Sequence, residues 1–188
     1  MTLDLRAQLR TDIRQQRRLL SVSTQKQAML TVHKRLITHP KIQQAQHIAI
    51  YLANDGELDL TQFIQWCWQQ DKKLYLPVIH PFSKGQLLFL HYDNNTIMIN
   101  NRYGIKEPKL DVRDIYPIKQ LDVLLTPLVA FDESCARLGM GGGFYDRSLH
   151  SWYQRFQHNK YAKPYPIGLA HDCQKIEKVP NASWDIPL

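Results

Sequence analysis

Apolar positions recur along the chain with two periods, one typical of helices and one typical of buried strands. Leu5, Leu9, Ile13 and Leu20 follow helical spacing and predict an amphipathic first helix. A second helix is expected to be capped by Ser23 or Thr24, with Gln27 completing a capping box after Thr24, and to end before Pro40. Helical patterns also cover residues 60–70 and the segment from Phe144 through Trp152.

Apolar runs between these helices predict strands. They cover residues 47–52, 73–78, 87–92, 121–126 and 166–170, and residues 128–131 continue the apolar pattern. A turn over 54–57 follows the first strand, and 94–114 is polar and rich in turn residues. Strands that alternate with helices indicate an α/β fold with a mainly parallel sheet covered on both faces. With no repeat or linker in the sequence, residues 1–188 are expected to form a single domain.

Composition changes the picture little. Cys67, Cys135 and Cys173 are scattered and odd in number, so reduced thiols and a cytoplasmic location are expected. The first residues lack the apolar stretch of a signal peptide. No apolar run approaches the roughly 20 residues of a membrane span, so no membrane partner is expected.

Positive charge is concentrated at the N-terminus. The formal net charge is +7, and residues 1–41, with nine Lys or Arg and two Asp, account for all of it. Arg6, Arg10, Arg14 and Arg17 fall on one stripe of the first predicted helix. Such a stripe suits a polyanion such as nucleic acid, ATP or a polycarboxylate. A charge run alone, however, more often forms a solvated helix face.

The strongest chemical signal is a glycine-rich loop between Arg137 and Asp146, in which four of the five residues 139–143 are glycine. Successive main-chain N–H groups in such a loop can form an anion nest, and a helix that begins near Phe144 would add its positive end. The loop lacks the Gly-Lys-Ser/Thr of a Walker loop, and Phe144 occupies the third glycine position of a dinucleotide fingerprint. The spacing predicts a phosphate-binding loop of unspecified type. The alternative interpretation is a glycine turn that serves only packing.

Residues 137–146, Arg-Leu-Gly-Met-Gly-Gly-Gly-Phe-Tyr-Asp, resemble the signature of the 5-formyltetrahydrofolate cyclo-ligase family, also called 5,10-methenyltetrahydrofolate synthetases. The resemblance extends over nearly the whole chain, since the basic first helix, Glu57, the turn over 103–108 and Asp185 occur in the family's order. It implies a three-layer α/β/α sandwich similar to the NagB/RpiA/CoA transferase-like fold.

The resemblance also implies a reaction. ATP phosphorylates the formyl oxygen of 5-formyltetrahydrofolate with the help of Mg²⁺, the neighbouring folate nitrogen attacks, and 5,10-methenyltetrahydrofolate forms with release of ADP and phosphate. Phosphoryl transfer depends on positioning and charge neutralisation, which arginines and a glycine nest supply. The expected partners are ATP and a reduced folate, with a polyglutamate tail on the folate as a hypothesis. No nucleic-acid partner is expected, and the chain is expected to be a monomer or weak dimer.

Individual roles follow from matching positions. Arg10 and Tyr145 are expected to be catalytic, with Tyr145 at the formyl end, and Asp146 and Asp185 are expected to bind the metal. The expected ATP-binding residues are Arg6, Arg10, Arg137, Leu138, Gly139, Met140, Gly141, Gly142, Gly143, Phe144 and Tyr145. The expected substrate-binding residues are Asn54, Glu57, Met140, Gly142, Phe144 and Tyr145.

A few positions depart from the family's pattern. Arg6 stands where many members have Lys, which keeps the charge. Cys135 stands where glycine is usual, and because a residue with a Cβ is disfavoured at positive φ, that turn is expected to differ slightly. Met140 and Gly142 lack the basic side chains of some members, which puts the number of phosphate contacts in doubt.

Two other classes of protein stay open from the sequence. A nucleic-acid-binding protein would explain the basic helix but not the glycine loop. A different enzyme on a similar fold, such as a sugar-phosphate isomerase or an acyl-transferring relative, would explain the loop but not Arg6 and Arg10 together with Asp146.

Overall fold

The computed structural model describes residues 2–187, with side chains from residue 5 onward. Its α-helices are α1 (Thr2–Arg18), α2 (Val22–Thr38), α3 (Pro40–Gln44), α4 (Thr61–Gln69) and α5 (Phe144–His158). Its strands are β1 (His47–Ala49), β2 (Lys73–Ile79), β3 (Leu87–Tyr92), β4 (Met98–Asn100), β5 (Lys106–Pro108), β6 (Ile115–Tyr116), β7 (Val123–Pro127), β8 (Ala130–Phe131), β9 (Arg137–Leu138) and β10 (Tyr165–Leu169). Short 3₁₀ turns cover Val112–Asp114, Ile118–Gln120 and Asp172–Gln174.

Six strands form the central sheet in the order β10-β7-β1-β2-β3-β6. The four strands from β10 to β2 are parallel, whereas β3 pairs antiparallel with β2 and β6 pairs antiparallel with β3. The mainly parallel sheet expected from the sequence is therefore confirmed, with an antiparallel edge. Two further two-stranded ribbons, β4–β5 and β8–β9, lie outside this sheet.

Alternate residues of each central strand supply the two faces of the sheet. Ile48, Leu74 and Val123 pack with Phe63 of α4 in one buried cluster that also includes residues of α2 and α3. Their neighbours in sequence, Ala49, Tyr75 and Leu124, pack on the other face with Leu149 and Trp152 of α5. Helices thus cover both faces, as a three-layer α/β/α sandwich requires.

Helix α1 packs against the small β8–β9 ribbon and the 3₁₀ turn Asp172–Gln174. Ile13 is buried with Val129, with Ala130 of β8 and with Leu138 of β9. Because β9 leads directly into residues 139–143, this packing brings Arg10 of α1 to the glycine loop. In the part of the chain that the structure describes, the helices are too short or too polar to cross a bilayer.

Three local features differ from the prediction. Ser21, rather than Ser23 or Thr24, caps α2, and its side chain accepts a hydrogen bond from the Thr24 N–H. Helix α3 begins at Pro40, where the sequence predicted only an end, because proline is well tolerated in the first turn of a helix. The segment 94–114, expected to be turns, contains the β4–β5 hairpin.

Candidate active site

The glycine loop connects β9 to the N-terminus of α5. Gly141 and Gly143 have φ of 96° and 62°, a region that side chains with a Cβ rarely adopt. Gly143 is the N-cap of α5, and among the described residues no side chain caps this helix end. The first N–H groups of a 15-residue helix therefore point, uncapped, into the same space as the loop, which is the arrangement that binds phosphate groups.

A cavity of about 460 Å³ opens beside this loop, within the usual size range of small-molecule sites. Its wall includes the loop and the first turn of α5, the turn after β1, the ends of β2 and β7, and the β4–β5 hairpin. The cavity lies at the carboxyl ends of the parallel strands, where open α/β sheets bind ligands. The lining residues expected from the sequence are Asn54, Glu57, Arg137, Gly139, Met140, Gly142, Gly143, Phe144, Tyr145 and Asp146.

Arg10 approaches the loop from α1. Its Nε donates to the Gly139 carbonyl oxygen at 2.8 Å, and a Cβ added at Gly141 would lie 3.4 Å from its guanidinium carbon. Burial and then the nearby Arg6 lower the pKa of Arg10, but an arginine stays charged at any assay pH. The loop therefore lies between a positive side chain of α1 and the cavity.

The other arginines of the stripe are paired with acids. Arg6 binds Asp185 with two hydrogen bonds, one of them 2.9 Å from Nη2 to Oδ1, and both side chains are at least nine-tenths buried. Arg14 and Arg17 bind Asp55, and Arg17 is 1% exposed. A solvated helix face is thus the wrong interpretation of this stripe. The burial of Arg6 and Arg17 also removes them from any nucleic-acid surface.

Glu57 places a carboxylate in the cavity wall. Its Oε2 accepts a hydrogen bond from the Asn54 N–H at 3.1 Å. Burial raises the pKa of Glu57, and the Asn54 N–H and Arg17 act in the opposite direction. Burial and the charge of Glu57 also raise the pKa values of Tyr51 and Tyr145, so both phenols stay protonated and can donate hydrogen bonds.

Asp146 and Asp185 do not form a ready metal cage. Asp146 Oδ1 accepts from Arg137 Nη2 at 2.8 Å and from the Ile186 N–H at 3.3 Å, and Asp185 is bound to Arg6. Among the side chains that the structure describes, those of residues 5–187, no group of three or more His, Cys, Asp or Glu could hold a metal ion. Mg²⁺ bound to phosphates, however, usually needs only one or two carboxylates. The second oxygen of Asp146 fits that lesser requirement.

Some of the predicted site residues lie outside the main cavity. Arg6 and Asp185 form a pair that ties α1 to the C-terminal segment, where Asp185 also lines a smaller cavity of about 250 Å³. Arg137 lines both cavities, and its buried Nε has no hydrogen-bond partner in the described structure. The side chain of Leu138 is fully buried in the core, so only its main chain can face a ligand.

Several cavity residues were outside the sequence prediction. Tyr51 lies just beyond β1 and Pro127 ends β7 at the site, and Glu107 and Asn101 reach it from the β4–β5 hairpin. The Glu107 carboxylate accepts from Asn101 Nδ2 at 3.1 Å. The run over 103–108 was part of the family resemblance, but nothing in its spacing indicated that Glu107 faces the cavity.

Cys135 adopts a backbone conformation that favours glycine. Its φ is 63°, and its N–H donates to the Asp132 carbonyl oxygen at 3.1 Å within the tight β8–β9 turn. The turn is therefore formed despite the Cβ.

Comparison with known proteins agrees with this geometry. Residues 3–188 match the model of the 5-formyltetrahydrofolate cyclo-ligase family. The 5-formyltetrahydrofolate cyclo-ligase of Escherichia coli is 50% identical over 176 residues, covering 94% of this chain and 93% of the relative. The 5-formyltetrahydrofolate cyclo-ligase of Haemophilus influenzae is 46% identical over 188 residues, covering 100% of this chain and 97% of the relative.

Solved structures show the same fold. The 5,10-methenyltetrahydrofolate synthetase of Aquifex aeolicus superimposes with a TM-score of 0.79 at 27% identity, covering 98% of this chain and 87% of that one. The synthetase of Mycoplasma pneumoniae superimposes with a TM-score of 0.73 at 22% identity, covering 97% of this chain and 94% of that one. With its glycine loop, its cavity and these likenesses over nearly its full length, the chain belongs to the 5-formyltetrahydrofolate cyclo-ligase family.

Proposed function

We propose that this chain converts 5-formyltetrahydrofolate to 5,10-methenyltetrahydrofolate with ATP, as a cytoplasmic enzyme in which the whole chain is one catalytic domain. The observation that supports this best is the position of the glycine loop between Arg10 and the cavity. A phosphate donor held by the loop and α1 would meet a formyl acceptor held in the cavity. Transfer then requires little movement of either molecule.

ATP binding is assigned to the loop and the uncapped N-terminus of α5. Arg10 uses Nε for the Gly139 carbonyl, and its terminal nitrogens, which bind no other described side chain, can donate to phosphate oxygens. Arg137 supplies a second guanidinium that is fixed by Asp146. These positive charges stabilise the negative charge on the oxygens of the phosphoryl group while it is transferred.

Folate binding is assigned to the cavity. The carboxylate of Glu57 suits the amino and ring N–H groups of a pterin, and Asn54 adds an amide beside it. Tyr145 lies on the first turn of α5, close enough to Glu57 for their charges to interact, and its protonated hydroxyl can donate to the formyl oxygen. Once phosphorylated, that oxygen is a good leaving group, and attack by the neighbouring folate nitrogen closes the ring.

Mg²⁺ is expected to enter with the phosphates of ATP. Asp146 is the carboxylate proposed to hold it, with phosphate oxygens and water completing its shell. The ion would neutralise charge on the phosphates. Asp185 is bound to Arg6 by two hydrogen bonds. We propose that it does not contact the metal and instead holds the wall of the smaller cavity beside Arg137.

The test is an assay that follows the near-ultraviolet absorbance of the methenyl product. Protein, 5-formyltetrahydrofolate, ATP and Mg²⁺ should give a rise that is absent without ATP. Arg10→Ala should weaken ATP use by roughly tenfold or more, because a hydrogen bond to a charged group contributes about 1.5–3 kcal/mol. Tyr145→Phe should lower kcat with little change in the KM for ATP.

A matched control is Arg113→Ala, which removes an exposed arginine paired with Asp111 outside the cavity and should leave turnover unchanged. A protein that binds ATP but gives no product with the folate would contradict the proposed substrate and keep only the phosphate site.

A further inference from the structure

Arg17 is a buried guanidinium that the proposed reaction does not use. It lies near the end of α1, its side chain is 1% exposed, and it points at the Asn54–Glu57 turn that follows β1. Removing a charge from water is unfavourable, so a buried guanidinium is stable only where nearby groups compensate it. The contacts of Arg17 identify these groups.

Arg17 holds both the main chain and the side chain of Asp55. Its Nε donates to the Asp55 carbonyl oxygen at 2.9 Å, and its Nη2 donates to Asp55 Oδ2 at 3.1 Å. Its Nη1 lies 4.0 Å from Glu57 Oε1 and 3.5 Å from the Leu128 carbonyl oxygen. One guanidinium therefore links α1, the turn and the segment after β7.

The turn adopts a backbone that needs such support. Asp55 and Gly56 are consecutive residues with φ of 53° and 75°. A non-glycine residue in this region persists where its surroundings hold it, and Arg14 and Arg18 also bind the Asp55 carboxylate. On the far side, the Gly56 carbonyl oxygen lies 3.2 Å from His171 Nε2.

Glu57 lines the cavity together with Asn54 and Asp55 of the same turn, and its carboxylate is surrounded by several elements. Among the described residues, Arg17 is the cation that lies within ion-pair distance of Glu57, at 4.0 Å. The titratable and charged groups that face Glu57 come from α1, from the turn, from the segment between β1 and the turn, and from α5; they are Arg14, Arg17, Asp55, Tyr51 and Tyr145.

We propose that Arg17 is a positioning residue for folate binding, which holds the Asn54–Glu57 turn so that Glu57 presents an anionic carboxylate to the pterin. This inference rests on the proposed function, because it takes Glu57 as the carboxylate that accepts hydrogen bonds from the substrate. Arg17 itself does not line the cavity and acts through Asp55 and Glu57.

The test is Arg17→Met, which keeps an extended side chain and removes the charge. The KM for 5-formyltetrahydrofolate should rise about tenfold, with the KM for ATP changed less than about twofold. Because the charge of Arg17 opposes the effect of burial, its loss should raise the pKa of Glu57 further. The acid limb of kcat/KM for the folate should then move to higher pH, by about one unit for a tenfold coupling.

Two variants separate this effect from general damage. Lys72→Met removes another buried cation, whose Nζ donates to the carbonyl oxygens of Gln43 and Ala45 outside the cavity. It should lower stability without moving the acid limb. Asp55→Asn loosens the turn but removes a charge that raises the pKa of Glu57, so it should raise the folate KM and move the acid limb to lower pH.

The outcomes are distinguishable. A wild-type protein without turnover refutes the proposed function. An active wild type whose folate KM and acid limb are unchanged in Arg17→Met overturns the role of Arg17 alone. If circular dichroism shows that Arg17→Met is unfolded, Asp55→Asn decides, because an acid limb that stays in place or moves to higher pH in that variant contradicts the inference.

Discussion

Gly141→Ala tests whether the glycine loop is shaped for a ligand. Gly141 has a φ of 96°, and the new Cβ would lie 3.4 Å from the carbon of the Arg10 guanidinium. The substitution therefore adds backbone strain, and it places the new methyl group in van der Waals contact with the side chain that reaches the Gly139 carbonyl. We expect the loop to relieve the strain by shifting, which moves its N–H groups and the contacting Arg10 away from a bound phosphate.

The magnitude has two parts. Placing a side chain at positive φ costs roughly 1–2 kcal/mol, and for a chain of this length each 1 kcal/mol lowers Tm by about 2–4 °C. Misplacing Arg10 forfeits one charge-assisted interaction of about 1.5–3 kcal/mol, so the Kd for ATP should rise by roughly 10- to 100-fold.

Gly104→Ala is the matched control. Gly104 also has a positive φ, 73°, but nothing lies within 4 Å of the Cβ position. Calorimetric titration with a non-hydrolysable ATP analogue, together with thermal melts, should show a similar loss of Tm in both variants and weaker binding only in Gly141→Ala. Wild-type affinity in a folded Gly141→Ala protein would refute a phosphate-binding role for the loop.

Two further predictions concern stability. Burial raises the pKa of Asp185, but the hydrogen bonds from Arg6 and the Ala182 N–H outweigh it, so the folded-state pKa lies below the unfolded value of about 3.9. The ionised Asp185 therefore stabilises the fold above the unfolded-state pKa, and this contribution is lost as the pH falls through the folded-state pKa. Urea unfolding from pH 7 to 3 should show a declining free energy of unfolding, and Arg6→Met should make that decline smaller. Cys135→Gly should raise the free energy of unfolding by about 0.5–1 kcal/mol, since relief at a φ of 63° exceeds the added chain entropy, whereas Cys135→Ala should leave it unchanged in the same experiment.

The central sheet could be predicted because its signal is local. Strands such as β2 are apolar on both faces, so a run of apolar residues marks them without reference to any partner. The β4–β5 hairpin was missed because it is short and polar, and its Ile99 is 42% exposed. The pair Arg6–Asp185 was also out of reach, since 179 positions separate its members and no periodicity links them.

The arginine stripe of α1 shows that the number of charges in a segment does not determine which of them are available to bind a ligand. The sequence places Arg6, Arg10, Arg14 and Arg17 on one face, which reads equally as a polyanion surface or a solvated face. In the folded chain Arg6, Arg14 and Arg17 are bound to carboxylates, two of these arginines being buried.

Arg10 differs because the group it meets is a carbonyl oxygen, which satisfies a hydrogen bond but does not cancel a charge. Uncancelled positive charge next to an uncapped helix N-terminus strengthens attraction for an anion, since both act on the same small space beside the loop. Which arginines of the stripe are neutralised thus depends on the acids that α1 contacts. The packing of α1 against the β8–β9 ribbon fixes these contacts. The net charge of the N-terminal segment would be the same if Arg10 were a neutralised arginine of the stripe, but the proposed phosphate site would then lack this cation.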